Sequence, residues 1–182
     1  MNPKELKETL RLHAAWLENP STGTFADLRN TILNGANLSG ANLRNTILNG
    51  ADLCDANLRG ANLINADLSG ANLPHFQLCP ETDLFVAFKK GRGGEIIKLL
   101  IPANAKRTSS LAGRKCRAEF AVVLSITSAQ GRELRRCASH HNPTFDYTVG
   151  GTVYPDSYDD DIRTECAPGI HFFITRKEAE EY

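Results

Sequence analysis

The chain has 182 residues, and its 21 lysines and arginines balance 21 aspartates and glutamates, so the formal net charge at pH 7 is zero. That length accommodates one ordinary domain or two small units. It contains no apolar run near the roughly 18 residues of a membrane span, and MNPKELKETLRLHAAWLENP lacks the apolar core and cleavage site of a signal peptide. The five cysteines (Cys54, Cys79, Cys116, Cys137, Cys166) are odd in number and follow no familiar disulfide spacing, which predicts reduced thiols in a cytoplasmic protein without a membrane partner.

Residues 3–18 are predicted to be a helix. Asn2 is a good N-cap, Pro3 suits the first helical position and Glu5 falls in the first turn, where the helix dipole favours an anion. Leu6, Leu10, His13 and Leu17 share one face, so His13 is expected to be structural. Asn19-Pro20-Ser21-Thr22-Gly23 stops the helix, and residues 1–24 form a capping helix and linker.

Residues 25–79 carry the dominant signal, a five-residue period: ADLRN-TILNG-ANLSG-ANLRN-TILNG-ADLCD-ANLRG-ANLIN-ADLSG-ANLPH. Ala and Leu, two apart, face one side of an extended segment and fill an interior. The fifth position alternates between glycine and Asn or Asp, the types that best tolerate turns and positive φ. This pattern resembles the pentapeptide-repeat family. The resemblance implies a right-handed, four-sided β-helix with four pentapeptides per coil, in which leucines stack at a spacing of twenty, as Leu28, Leu48 and Leu68 do. About ten pentapeptides give a stack on the order of 12 Å tall at the roughly 4.8 Å separation of strands. NTILNGANLSGANLR recurs as NTILNGADLCDANLR after fifteen residues, which spreads Arg29, Arg44 and Arg59 over different faces. The helix before the repeat is expected to cap it, and Pro74 to end it.

Residues 80–182 read as a small α+β domain with mostly antiparallel strands, making the whole chain mainly β. Strands are predicted at 84–88, 96–101, 116–126, 147–154 (interrupted by Gly150-Gly151) and 170–174, with a short C-terminal helix behind a Thr175/Glu178 capping box. IIKLLIPANAKR, GRKCRAEF, YTVGGTVYPDSYD and ECAPGIHFFITRKEAEEY resemble an uncharacterised domain that often follows pentapeptide repeats in phage and prophage proteins. The N-terminal ELKETLRLHAAWLEN resembles the leader of those proteins. That resemblance implies origin and architecture but no chemistry.

Charge is distributed unevenly. Lys89, Lys90, Arg92, Arg114, Lys115, Arg117, Arg135 and Arg136 belong to a basic stretch, followed by an acidic one that includes Asp146, Asp156, Asp159, Asp160, Asp161 and Glu178. Either the two stretches neutralise each other on folding, or the basic one forms an anion-facing surface. Cys116, Cys137, His140, Cys166 and His171 are residue types that suit zinc, although only the Cys137/His140 spacing resembles a chelating loop. Residues 150–182 loosely resemble the central strand region of ADP-ribosyltransferases, a class that also needs a first-motif His or Arg beside a Gly-Thr/Ser pair and a distal catalytic glutamate; His140 and His141 lack that first-motif context. No Walker pattern, dinucleotide fingerprint or nucleophilic triad is present, so no cofactor is expected.

The leading expectation is a non-enzymatic protein-interaction module, a phage-type accessory protein that inhibits or modulates a host macromolecular machine. Its partner is then a host protein or protein–nucleic-acid complex, and a second copy of the chain is also admissible. The alternatives are a nucleotide-using transferase and a nucleic-acid binder acting through the basic stretch. DNA mimicry is disfavoured, because the repeat is short and its Asp27, Asp52, Asp55 and Asp67 are offset by three arginines.

Overall fold

The computed structural model describes every residue from Met1 to Tyr182. The chain forms two compact units. The first comprises Met1–Phe76 with Ser110–Gly113 and Ile162–Glu165, and the second Gln77–Ser109, Arg114–Asp161 and Cys166–Tyr182. The structure is mainly β, with a helix at the N-terminus.

In the first unit, α1 (Pro3–Glu18) begins as its sequence predicts. The Asn2 side chain accepts the N–H groups of Lys4 and Glu5 at 3.0 and 2.9 Å, and the Glu5 carboxylate accepts the Asn2 N–H at 3.0 Å. This reciprocal box satisfies donors that the first turn leaves over. His13 is fully buried and structural. Its Nδ1 accepts the Ala26 N–H at 3.2 Å, which leaves the ring proton on Nε2 to donate to the Arg44 carbonyl at 2.9 Å.

The pentapeptides obey one local rule. Where the second residue is Asp or Asn, and not Ile32 or Ile47, its side chain accepts the N–H two positions ahead, as Asn37 does from Ser39 (3.1 Å), Asp52 from Cys54 (3.1 Å) and Asp67 from Ser69 (3.0 Å). The fifth residue then takes positive φ, whether it is Asn30, Asn45, Asp55 and Asn65 or one of the five repeat glycines. The chain comes back alongside itself every twenty residues, where single parallel bridges join Asp27 to Ile47, Ile32 to Asp52, Asn37 to Asn57 and Asn42 to Asn62. Leu28, Leu43, Leu48, Leu53 and Leu63 are completely buried, and Leu73 marks the end of the series.

The fifth residues from Asn30 to Gly50 donate their N–H to the carbonyl nineteen positions on, as Gly40 does to Arg59 (2.9 Å) and Gly50 to Ser69 (2.9 Å). Gly60 has no such successor, and its N–H goes to the Ala112 carbonyl at 2.7 Å instead. Leu111 is buried in the leucine core, its N–H bonds Ile162, and Arg163 donates to the Ala66 carbonyl at 2.8 Å. Two short segments from the second half of the sequence thus supply partners to the repeat backbone, one through the Ala112 carbonyl and one through the Arg163 side chain.

The second unit contains β1 (Phe85–Lys90), β2 (Ile96–Ile101), β3 (Arg107–Ser109), β4 (Cys116–Ala118), β5 (Ala121–Thr127), β6 (Glu133–Leu134), β7 (Arg136–Ala138), β8 (Asp146–Thr148), β9 (Thr152–Val153), β10 (Ile170–Phe172) and α2 (Arg176–Glu181). A five-stranded sheet runs β1-β2-β5-β6 with β9 also on β5. A three-stranded sheet runs β10-β4-β3, and β7 pairs with β8. Every one of these pairs is antiparallel, and the sheets are open. Ile97, Leu99, Ile101, Val123, Ile126, Tyr147 and Phe172 form the core.

Two predicted strands each split between sheets. Residues 116–126 divide at Glu119-Phe120 into β4 and β5: the Glu119 N–H bonds the Lys106 carbonyl, and the Phe120 ring stacks on Tyr154 at 5.4 Å. Residues 147–154 divide at the glycine pair into β8 and β9, with Gly150 at φ +83°. The short strands β3, β6 and β7 give no sequence signal of their own. The Thr175/Glu178 box caps α2 as expected.

Candidate functional site

The basic stretch does not form one surface. Arg92, Arg114, Arg135 and Arg136 are exposed and Lys90 is half-buried, but Lys89 is 9% exposed, Lys115 5% and Arg117 0%. All three residues of β4 are buried, so both of its faces are covered and Arg117 goes inward with it. Part of the exposed charge is paired within the unit, and the buried Arg117 is held by main-chain carbonyls. Arg114 pairs with Glu178 and Arg136 with Asp146, while Arg117 donates to the carbonyls of Asp159 and Asp161 at 2.5 and 2.6 Å. The triple aspartate therefore wraps a buried guanidinium through its backbone. Gly169 (φ +151°) is required there, because a Cβ would lie 3.0 Å from Arg117 Cβ.

The zinc set is not brought together. No group of three or more His, Cys, Asp or Glu side chains is placed to hold a metal ion. Cys116 pairs in register with Phe172 and faces the core, where it meets Ser109. Its hydrogen bond with Cys79, together with burial, pushes the Cys116 thiol up. His171, one residue from Phe172, pairs with Arg117 on the opposite face and sets its Nε2 2.7 Å from the Ala167 carbonyl. Cys137 lies opposite Tyr147 between β7 and β8, and burial raises its thiol to about 12. His140 packs against His141, and Cys166 accepts from Lys115 Nζ at 3.1 Å. His140 and His171 line one small pocket, but none of the three cysteines joins them there.

What does converge is a cationic cavity. Alternation along β1 places Ala87 and Lys89 inward and Val86 and Phe88 outward. Lys89 reaches a cavity of about 290 Å³ whose wall includes Phe145, Tyr147, Ile170, His141 and His171. Its ammonium lies over the Tyr147 ring, 5.8 Å from the centroid. Desolvation, then the nearby Lys115 charge, lowers the Lys89 pKa to about 8. Burial also lowers His171, to about 4, so its imidazole is neutral at pH 7. Burial pulls Lys115 down as well, but its hydrogen bonds to Tyr182 Oη (3.1 Å) and Cys166 Sγ outweigh that and hold it above the ordinary lysine value. Sequence reasoning had Lys89 and Lys115 as surface cations and missed Tyr147 and Tyr182. The signal available was the parity of Ala87 and Lys89 in an alternating strand.

On its other side the five-stranded sheet is partly bare. The register aligns Val86 with Leu100 and Leu100 with Val122 across β1, β2 and β5. Val86 and Leu124 are more than a third exposed, and Tyr154, stacked on Phe120, is 62% exposed. Helix α2 contacts β1 and β2, where Ala179 packs with Phe88, Ile96 and Phe173.

Comparison with known families places both units. A family described as Pentapeptide repeats (8 copies) matches residues 24–60 and again residues 36–74. A Family of unknown function (DUF5758) matches residues 75–179. No curated protein and no solved structure matches the chain. No helix is long and apolar enough to cross a membrane. With more than half of its residues inside the match, the chain belongs to the DUF5758 family and carries pentapeptide repeats ahead of that domain.

Proposed function

We propose that the protein is a non-enzymatic protein-interaction module whose second unit presents the contact surface. The observation that carries this reading is the apolar row Val86–Leu100–Val122, continued by Leu124 and Tyr154, on a sheet face that α2 covers only in part. Contiguous exposed apolar surface on a folded domain marks a place where another surface docks. In this reading the repeat winds as a short right-handed four-sided β-helix and supplies a stiff body. Its bridges at a spacing of twenty and its buried leucines support that winding. Its outward charge is mixed, with Asp27 paired to Arg29 at 2.5 Å, which supports a structural part better than mimicry of a polyanion. In the phage-type reading, the partner is a host protein or protein–nucleic-acid complex in the cytoplasm, and binding inhibits or modulates it.

The test is affinity capture from host extract with the intact chain and with a Val86→Glu/Leu124→Glu double variant, read by mass spectrometry. A partner retained by the wild type and lost with the double variant is expected. A partner retained equally by both removes the sheet face as the contact, and label transferred from NAD to host protein overturns the non-enzymatic reading.

A further inference from the structure

We propose that the cavity behind Lys89 is a binding site for a small organic anion, whose phosphate or carboxylate head sits on the Lys89 ammonium and whose planar body lies along the aromatic wall. This site is separate from the sheet-face contact proposed above.

Lys89 is nine-tenths buried and has no ion-pair or hydrogen-bond partner for its ammonium; the Tyr147 ring, at 5.8 Å, is its one cation contact. The ammonium opens into the cavity and is not sealed in the core, yet a largely buried charge without a counter-ion is still costly to retain. Lys115, also buried, adds a second positive charge nearby and spends its own donors on Tyr182 and Cys166, not on a carboxylate. An anion entering the cavity would complete Lys89 and be held by the field of both lysines.

The lining defines the rest of the ligand. Phe145, Tyr147 and Ile170 give an apolar, largely aromatic wall, and Ser139, Asn142 and Ser157 offer polar groups on the same wall. Asp156 also lines the cavity and pairs with neither lysine, so it repels an anionic head and confines it to the Lys89 side. The volume, about 290 Å³, sits at the lower end of small-molecule sites, so a compact acid or phosphate monoester fits and a polymer does not. Apolar walls with a few placed polar groups are how such sites combine affinity with orientation.

The experiment is isothermal titration of the full chain at pH 7 with phenyl phosphate, benzoate, inorganic phosphate and, as the uncharged counterpart, benzyl alcohol. Phenyl phosphate or benzoate is expected to bind at submillimolar concentration, benzyl alcohol at least tenfold more weakly, and the tighter of the two aromatic anions identifies the head group. Lys89→Met is expected to weaken the anion at least tenfold. Lys98→Met, on the exposed part of β2, is expected to leave it unchanged. In the wild type the Lys89 ¹³Cε resonance shifts on titration, a readout that does not depend on the variant folding. Failure of both aromatic anions to bind at millimolar concentration, equal binding by Lys89→Met, or an unmoved Lys89 resonance would each overturn the proposal.

Discussion

The two units of this chain bury polar chemistry in opposite ways. In the repeat, most bending positions are satisfied by partners a fixed number of residues away: two for the Asp or Asn side chain, nineteen for the turn N–H, twenty for the bridge. In the second unit the buried polar groups have individual solutions. Arg117 is held by the carbonyls of Asp159 and Asp161, and Lys115 by Tyr182 and Cys166. Lys89 has no counter-charge at all. A periodic unit spreads its stability over equivalent positions and leaves no exceptional site, whereas an aperiodic one concentrates both cost and chemistry at a few residues.

That contrast can be broken most decisively in the repeat core. Leu48→Ala removes a completely buried side chain from a column in which neighbouring turns cannot collapse independently. Urea unfolding is expected to show a loss of about 2–5 kcal/mol. A loss below about 1 kcal/mol would mean that the repeat is not close-packed. In the second unit, Gly169→Ala puts a Cβ against Arg117 where the backbone is at φ +151°, and a loss of about 1–3 kcal/mol is expected in the same assay.

Lys89→Met should act in the opposite direction, because the methionine keeps the apolar stem and removes the ammonium. In the absence of ligand it is expected to stabilise the protein by roughly 1–2 kcal/mol at pH 7. With its folded pKa lowered to about 8, Lys89 loses its proton in the folded state before it does in the unfolded state. The destabilisation that it causes is therefore complete below about pH 8 and disappears as pH rises towards the ordinary lysine value. The stability difference between wild type and variant should shrink over that window; a constant difference would show that Lys89 is not held as a buried charge.

The smallest effect concerns acid. His171, lowered to about 4, takes up a proton in the unfolded chain well before it does in the folded one, so stability falls as pH drops from the ordinary histidine range towards 4. Glu178, whose carboxylate is held below its ordinary value by Arg114 and the Thr175 cap against the pull of burial, loses its contribution at still lower pH. His171→Gln should flatten the upper part of this limb in pH-dependent urea titrations. An unchanged slope would assign the acid sensitivity elsewhere.

Legibility in the sequence follows the same division. The helix cap, the repeat period, the turn positions and the inward leucines are all set by partners close in sequence or at a constant offset, and all were readable. The strands at 96–101 and 170–174 were readable as β-branched and aromatic runs between turns. The split of residues 116–126 was not, because it depends on Phe120 meeting Tyr154 and on Glu119 meeting Lys106. Of the candidate cations, Lys89, Lys115 and Arg117 were expected at the surface and lie buried, since composition marks a charged side chain as solvated and only the tertiary fold turns it inward.

By itself, the sequence determined the repeat, the N-terminal helix, the largely antiparallel second half and the absence of a recognisable catalytic motif, because each rests on short-range periodicity or on local turn and cap chemistry. Tertiary structure alone decided that Ser110–Gly113 and Ile162–Glu165 join the repeat unit, that the Cys/His set disperses, and that Lys89 faces a cavity without a counter-charge. Those outcomes depend on pairings such as β10 with β4 and β1 with β2, which bring together residues with no fixed spacing, and burial then sets the charge and reactivity of whatever side chain the register delivers.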